Sequence, residues 1–221
     1  MNLTCEYKRV QSDLSQLLSK KIDIPDNNLI ESLEKPISKI EKYDSALLKH
    51  SIAVSLISAF IGKCLDLSPD EIDELYIAGA LHDIGKIYIP KSIINKPGSL
   101  DEDEKKVIEA HPAYSIWHLV NNSNKQYYSH KVLDMIRYHH EEIGGHGYPY
   151  GLKRSQINTG AKILAIADKL EAYGAKRSYH EARTLEQCLE FIQLQIEEKV
   201  IDDKIATTVL RMLSTEKKIS S

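Results

Sequence analysis

Five histidines and two aspartates, His50, His82, Asp83, His111, His139, His140 and Asp168, are the residues of this sequence best suited to chemistry. The adjacent pair His82 and Asp83 sends an imidazole and a carboxylate in different directions. Such a pair suits a site with two cations, the imidazole binding one and the carboxylate bridging both. Lys86 follows three residues after Asp83 and can meet a phosphate oxygen. Imidazole and carboxylate donors suit Fe, Mn, Zn or Co, whereas the lack of thiolates among them disfavours a structural zinc knuckle. Seven side chains are too many for one tetrahedral ion and enough for two. Each residue alone has an ordinary reading, such as a buried histidine bonded to an aspartate. Their number, and their position at helix ends and bends, favours a metal centre.

The elements that position them follow from apolar periodicity. Leu14, Leu17, Leu18 and Ile22, then Leu29, Ile30, Leu33, Ile37 and Ile40, predict two short helices parted near Pro25, a cap over the main body. This divides the chain into an N-terminal extension, residues 1–43, and a main domain, residues 44–221. Asp44 to Leu67 carries a broad apolar stripe containing His50. Ser68, Pro69 and Glu71 form a capping box for a helix that stops near Gly85, which places His82 and Asp83 on its last turn. Ser99 and Glu102 repeat that pattern for a helix to about Val120, bent beside His111 by Pro112. Consecutive helical residues project about 100° apart, so His139 and His140 converge only at an irregular helix end. The run from Ile143 to Gly151, rich in glycine, supplies one. A helix from Thr159 carries Asp168 on its apolar face, where a carboxylate is costly unless paired or bound to metal. Thr184 and Asp202 or Asp203 open two closing helices that read as structural. No strand pair is legible, so the fold class is all-α.

Composition excludes other classes. A net charge of −3, spread over mixed-sign runs, argues against a binder of DNA or RNA duplexes. No segment approaches the roughly 20 consecutive apolar residues that span a bilayer, and Met1–Glu6 lacks a signal-peptide pattern. A cytoplasmic protein without membrane attachment is expected. Cys5, Cys64 and Cys188 are too scattered for a disulfide framework and read as reduced thiols. His118 and His130 read as surface or interhelix residues, and the pair Lys153 and Arg154 as a solvated turn, with contact to a phosphate as the lesser alternative.

His82-Asp83, His139-His140-Glu141, Gly147-Tyr148-Pro149 and Asp168 followed by Arg177 and Tyr179 stand in an order that resembles the HD-GYP domain of the HD superfamily of metal-dependent phosphohydrolases. The stretch from Ile89-Pro90 through Asn95-Lys96-Pro97-Gly98 to His111-Pro112 follows that family's run as well. The resemblance implies an HD-domain-like helical bundle with its metal site between central helices. It implies hydrolysis of cyclic di-GMP to pGpG, and to GMP if a second cut occurs, by a hydroxide that two divalent ions, Fe or Mn, activate. His50, His82, Asp83 and Asp168 would hold the first ion; Asp83, as the bridge, with His111, His139 and His140 would hold the second. Lys86 would contact the scissile phosphate, Tyr148 would line the substrate pocket, and Arg177 would contact a guanine or phosphate. Ala46 stands where some members carry a Glu for a third ion, so two are expected. Gly144, His146, Glu171 and His180 depart from the family pattern where the substrate is read. The alternatives are hydrolysis of another cyclic dinucleotide or nucleotide phosphoester, and a signalling module that binds nucleotide or a partner without turnover. A homodimer or a signalling partner remains open.

Overall fold

The computed structural model describes residues 26–122, 128–175 and 182–217. α1 (Asn27–Tyr43) is capped by Asp26 and turns Ile30, Leu33, Ile37 and Ile40 inward, the three- and four-residue spacing of one helix face. These side chains join the same core as the rest of the protein, so α1 packs directly on the body. The helix expected over Leu14 to Ile22 lies outside the described residues.

α2 (Ser45–Cys64) is capped by Asp44 and forms the central rod. Contrary to the expectation drawn from unbroken apolar runs, it is long and apolar enough to cross a membrane. Its surface is covered by protein instead: every residue from His50 to Gly62 is buried. Ile52, Leu56, Ile57 and Ile61 are all but inaccessible to solvent, and burying each is worth about 2 kcal/mol. α3 (Pro69–Leu81) starts at the Ser68–Glu71 capping box read from the sequence. It crosses α2 so closely that a Cβ at Gly79 would stand 2.5 Å from Ser55 Cα, which only glycine allows.

A 3₁₀ turn (Ile84–Tyr88) follows α3, then the short α4 (Lys91–Ile94). α5 (Glu102–Glu109) and α6 (His111–Asn122) are two helices rather than one bent one, because the chain breaks at Ala110, beside Pro112. The capping box of α5 is Asp101 with Glu104, two residues beyond the expected Ser99 and Glu102. Aspartate accepts from two free N–H groups there, at Asp103 and Glu104. α7 (His130–Tyr138) is followed by an extended loop whose single ladder contact is a bridge between Gly144 and Lys153. α8 (Thr159–Gly174), α9 (Leu185–Glu197) and α10 (Asp203–Lys217) complete the fold. Among the described residues there is no β-strand, and α2 is surrounded by α3 and α8 with α1 and α10 at the flanks.

Candidate metal centre

Three of the histidines are placed by one local device. His82, His111 and His139 each stand one or two residues past a helix, α3, α5 and α7 respectively. The Nδ1 of each lies 2.7–2.8 Å from the carbonyl three residues back, those of Gly79, Ile108 and Ile136. These carbonyls belong to last turns, where no further helical N–H is available. A carbonyl can only accept, so the proton sits on Nδ1 and Nε2 carries a bare lone pair. Three helix C-termini, the negative ends of their dipoles, converge on the same volume and favour a cation there.

His50 and Asp168 come from the middles of α2 and α8. His50 Nε2 is 3.1 Å from Asp168 Oδ1 and 3.5 Å from Asp83 Oδ2. His82 Nε2 is 3.4 Å from Asp83 Oδ2 and 3.8 Å from Asp168 Oδ1. On the other oxygen, His111 Nε2 stands 3.2 Å from Asp83 Oδ1 and 3.3 Å from His139 Nε2. His140 closes that side, its ring centroid 4.0 Å from that of His139 and 4.9 Å from that of His111.

This donor set fits divalent cations. Ligands bound at about 2.1 Å around one ion lie about 3.0–3.5 Å apart, the spacing found here. His82 Nε2 and Asp83 Oδ1 are buried without any hydrogen-bond partner, and two imidazole lone pairs face each other between His111 and His139. Orphaned acceptors of this kind are costly in a protein interior unless a cation takes them up. Three overlapping groups have mutual donor distances under 4.8 Å: Asp83, His111, His139 and His140; His50, His82 and Asp83; His82, His139 and Asp168. Asp83 is common to the first two, with one oxygen toward each.

Charge follows the geometry. Burial, reinforced by neighbouring histidines, holds His139 and His140 well below the usual imidazole range, and burial lowers His111 against the pull of Asp83. All three are held as uncharged donors. Burial would lower His50 too, but hydrogen bonds to Asp168, Asp83 and Glu171 outweigh it and raise its imidazole well above the ordinary value. A proton on His50 and a cation beside it answer the same demand from the carboxylates. Burial opposes ionisation of Asp83 and Asp168, yet the histidines around both, and Lys86 beside Asp83, hold their carboxyls well below the usual range.

Around the cluster, Lys86 Nζ is 2.6 Å from Asp83 Oδ2 and remains partly open to solvent. Tyr148 stacks on His140 at 4.6 Å between centroids, which puts its ring on the wall of the site. Burial, with Asp83 and Asp168 adding to it, raises the Tyr148 phenol, so it stays a donor at neutral pH. Arg177, Tyr179 and His180 lie outside the described residues.

Three positioning residues carried no sequence signal of their role. Ser115 Oγ donates to the His82 carbonyl at 2.7 Å and accepts from Gly85 N at 2.8 Å, tying the 3₁₀ turn to α6. A Cβ at Gly85 would come within 2.2 Å of the His111 carbonyl, so this docking requires glycine. Glu141 accepts from Tyr150 N and Leu152 N, each at 2.7 Å, and clamps the glycine-rich loop. Glu171, noted in the sequence only as a departure from aspartate, is buried with Oε2 against His50 Nδ1. His118 is buried between helices, as one of its two readings held, while His130 and His146 are exposed. Arg154 does not sit in a free turn: it pairs with Asp202 at 3.1 Å and with Asp203.

A helical bundle with a buried histidine–aspartate cluster at converging helix ends defines a class, the helical proteins that hold divalent cations between their central helices. The family described as HD domain matches residues 32–205, and the chain belongs to it. Its motifs are of the HD-GYP type, and divalent metal use goes with the family and the donor groups present. The chain is 33% identical over 181 residues to a cyclic di-GMP phosphodiesterase response regulator of Xanthomonas campestris pv. campestris, covering 82% of this chain and 47% of that protein. It is 36% identical over 146 residues to 3'3'-cGAMP-specific phosphodiesterase 2 of Vibrio cholerae, covering 66% of this chain and 28% of that one. The chain thus spans less than half the length of these curated relatives. The L. monocytogenes phosphodiesterase PgpH HD domain, solved in complex with cyclic-di-AMP, has the same fold, with a TM-score of 0.63 at 17% identity over 83% of this chain and 96% of that one.

Proposed function

We propose that this chain is a metal-dependent phosphodiesterase that hydrolyses cyclic di-GMP to pGpG, and to GMP where a second cut follows, in cytoplasmic second-messenger signalling. The observation that carries the reading is the convergence of bare histidine Nε2 atoms and the two oxygens of Asp83 on one buried volume. His50, His82, Asp83 and Asp168 hold one ion and Asp83, His111, His139 and His140 the other, iron or manganese in each case. Such ions, when bound, would supply an activated water at neutral pH and positive charge beside the phosphodiester. Asp83 fixes the two positions relative to each other. Lys86 swings from Asp83 to a non-bridging phosphoryl oxygen and stabilises the charge that grows on it in the transition state. Tyr148 lines the pocket beside His140 and offers its hydroxyl to the substrate, and Arg177 takes a guanine or phosphate. Of the N-terminal extension, α1 acts as a cap on the catalytic body.

The test is metal analysis of protein purified without oxygen, with product analysis on cyclic di-GMP supplied with Fe(II) or Mn(II). About two ions per chain and pGpG formation, both abolished in His82→Ala and Asp83→Ala, are expected. Metal-free protein, or metal-loaded protein inert on every cyclic dinucleotide, overturns the reading. A second reading, 3'3'-cGAMP as the preferred substrate, draws on the relative of that specificity and on the departures at Gly144 and His146. Side-by-side kcat/KM values on the two dinucleotides decide between them.

A further inference from the structure

We infer that the two metal positions are unequal, and that Glu171 is the positioning residue that makes the His50 side the tighter one. The inference rests on the metal-centre reading above and concerns how that centre loads. His82, His111 and His139 have their Nδ1 protons taken by backbone carbonyls at helix ends. His50 cannot use that device, because it lies within α2, where the backbone carbonyls serve the helix itself. Its Nδ1 is met instead by the carboxylate of Glu171, which reaches across from α8 and is 5% exposed. A carboxylate behind an imidazole fixes the ring and raises the basicity of the opposite nitrogen more than a neutral carbonyl does. That nitrogen, Nε2, is the atom aimed at Asp168 and Asp83.

Charge points the same way. The His50 side gathers Asp168, one oxygen of Asp83 and, behind the imidazole, Glu171. The opposite side gathers His111, His139 and His140, imidazoles that can bind a cation only as uncharged donors, around the other oxygen of Asp83. Lys86 stands on the His50-side oxygen of Asp83 and offsets one negative charge there; among the described residues the His50 side keeps the larger share of carboxylate. A divalent cation therefore loads first beside His50, Asp168 and His82, and the second ion binds more weakly among the three neutral histidines.

The experiment is Mn(II) binding to the full chain by equilibrium dialysis, with electron paramagnetic resonance to distinguish single ions from coupled pairs. Wild type is expected to show two classes of site and isolated Mn(II) before coupled pairs. Glu171→Gln keeps an acceptor for Nδ1 but removes the charge, and should weaken the tight class by about 10- to 100-fold while leaving the weak class within a factor of about three. Glu171→Asp should restore part of the loss. Two equal classes in wild type, or equal weakening of both classes in Glu171→Gln, overturns the inference. If Glu171→Gln does not fold, wild-type nuclear magnetic resonance with a diamagnetic ion, Zn(II), decides: the His50 ring signals must shift before those of His111 in the first equivalent, and the reverse order refutes the proposal. Absence of any Mn(II) binding would instead remove the metal-centre reading itself. Inertness toward cyclic dinucleotides would count against the proposed substrate alone, since loading is read without turnover.

Discussion

The buried cluster and the loop that faces it are anchored by different means. In the cluster, three rings are oriented by carbonyls in the last turns of α3, α5 and α7, so the geometry is set by local backbone at those helix ends. The loop from Glu141 to Ile157 relies instead on a side-chain clamp, its own Gly144–Lys153 bridge and ties to distant segments. It is held by Glu141 on Tyr150 N and Leu152 N, by Arg154 on Asp202 and Asp203, and by Ile143 N and Gly144 N on the carbonyls of Val200 and Lys199. The candidate metal donors are therefore positioned by helix ends, whereas the loop that the proposed function assigns to the substrate hangs on ties that can change without disturbing them.

Substitutions should separate the two. The largest effect is expected at Asp83, whose oxygens face both halves of the cluster. Asp83→Ala should empty both ion positions and lower kcat by about 10³-fold or more; metal content and turnover on the same sample check this. An Asp83→Ala protein that keeps both ions would break the contrast, since the cluster would then not depend on its centre. Gly85→Ala comes next. The new methyl meets the backbone of His111 and Ser115 at 2.2–2.5 Å, so the 3₁₀ turn must lift off α6. A loss of about 3 kcal/mol in unfolding free energy is expected, with weaker metal binding. Denaturant melts with and without Mn(II) measure both.

Glu141→Ala tests the loop. It removes the acceptor from two backbone N–H groups, costing about 2 kcal/mol. The loop should loosen and KM rise by about tenfold, with metal content unchanged, because Tyr148 moves while the helix-end carbonyls stay. Loss of metal in Glu141→Ala would show that the loop and the cluster are one unit.

The same contrast explains what was legible in the sequence. The ligand candidates were visible because their type is rare on apolar helix faces and because glycine and proline mark the breaks beside them. The Ser68 capping box was visible as a local pattern, and the box at Asp101 was misplaced because Ser99 with Glu102 offers the same pattern two residues earlier. Contacts between distant segments leave no local mark. Ser115 to His82, Glu171 to His50 and Arg154 to Asp202 join residues 33, 121 and 48 positions apart. Their side chains are common on any helix or loop, so only the folded arrangement reveals what they hold.

The remaining test concerns His118, a buried histidine outside the cluster, whose effect is confined to acid pH. Its Nε2 is 3.2 Å from the Lys39 ammonium, which can only donate, so Nε2 accepts and the proton sits on Nδ1, facing the Tyr88 hydroxyl. A second proton would set two cations against each other. Burial, with Lys39 adding to it, lowers this imidazole to about 4. An unfolded histidine titrates near 6.5, so between about 6.5 and 4 the unfolded chain binds the extra proton and the folded one does not. Stability from this residue is therefore complete above about 6.5 and is lost as pH falls toward 4. His118→Asn should flatten the pH dependence of the unfolding free energy in that window by at most about 1.4 kcal/mol per pH unit. The cluster histidines His111, His139 and His140 give a slope of the same sign in metal-free protein, because they too are buried neutral. Saturating Mn(II) should steepen their share, since protons must then displace the metal, and leave the His118 share unchanged. Denaturant melts of wild type and His118→Asn across pH 4–7, with and without Mn(II), resolve the two shares. A His118 contribution that grows with metal would mean that this residue belongs to the centre after all.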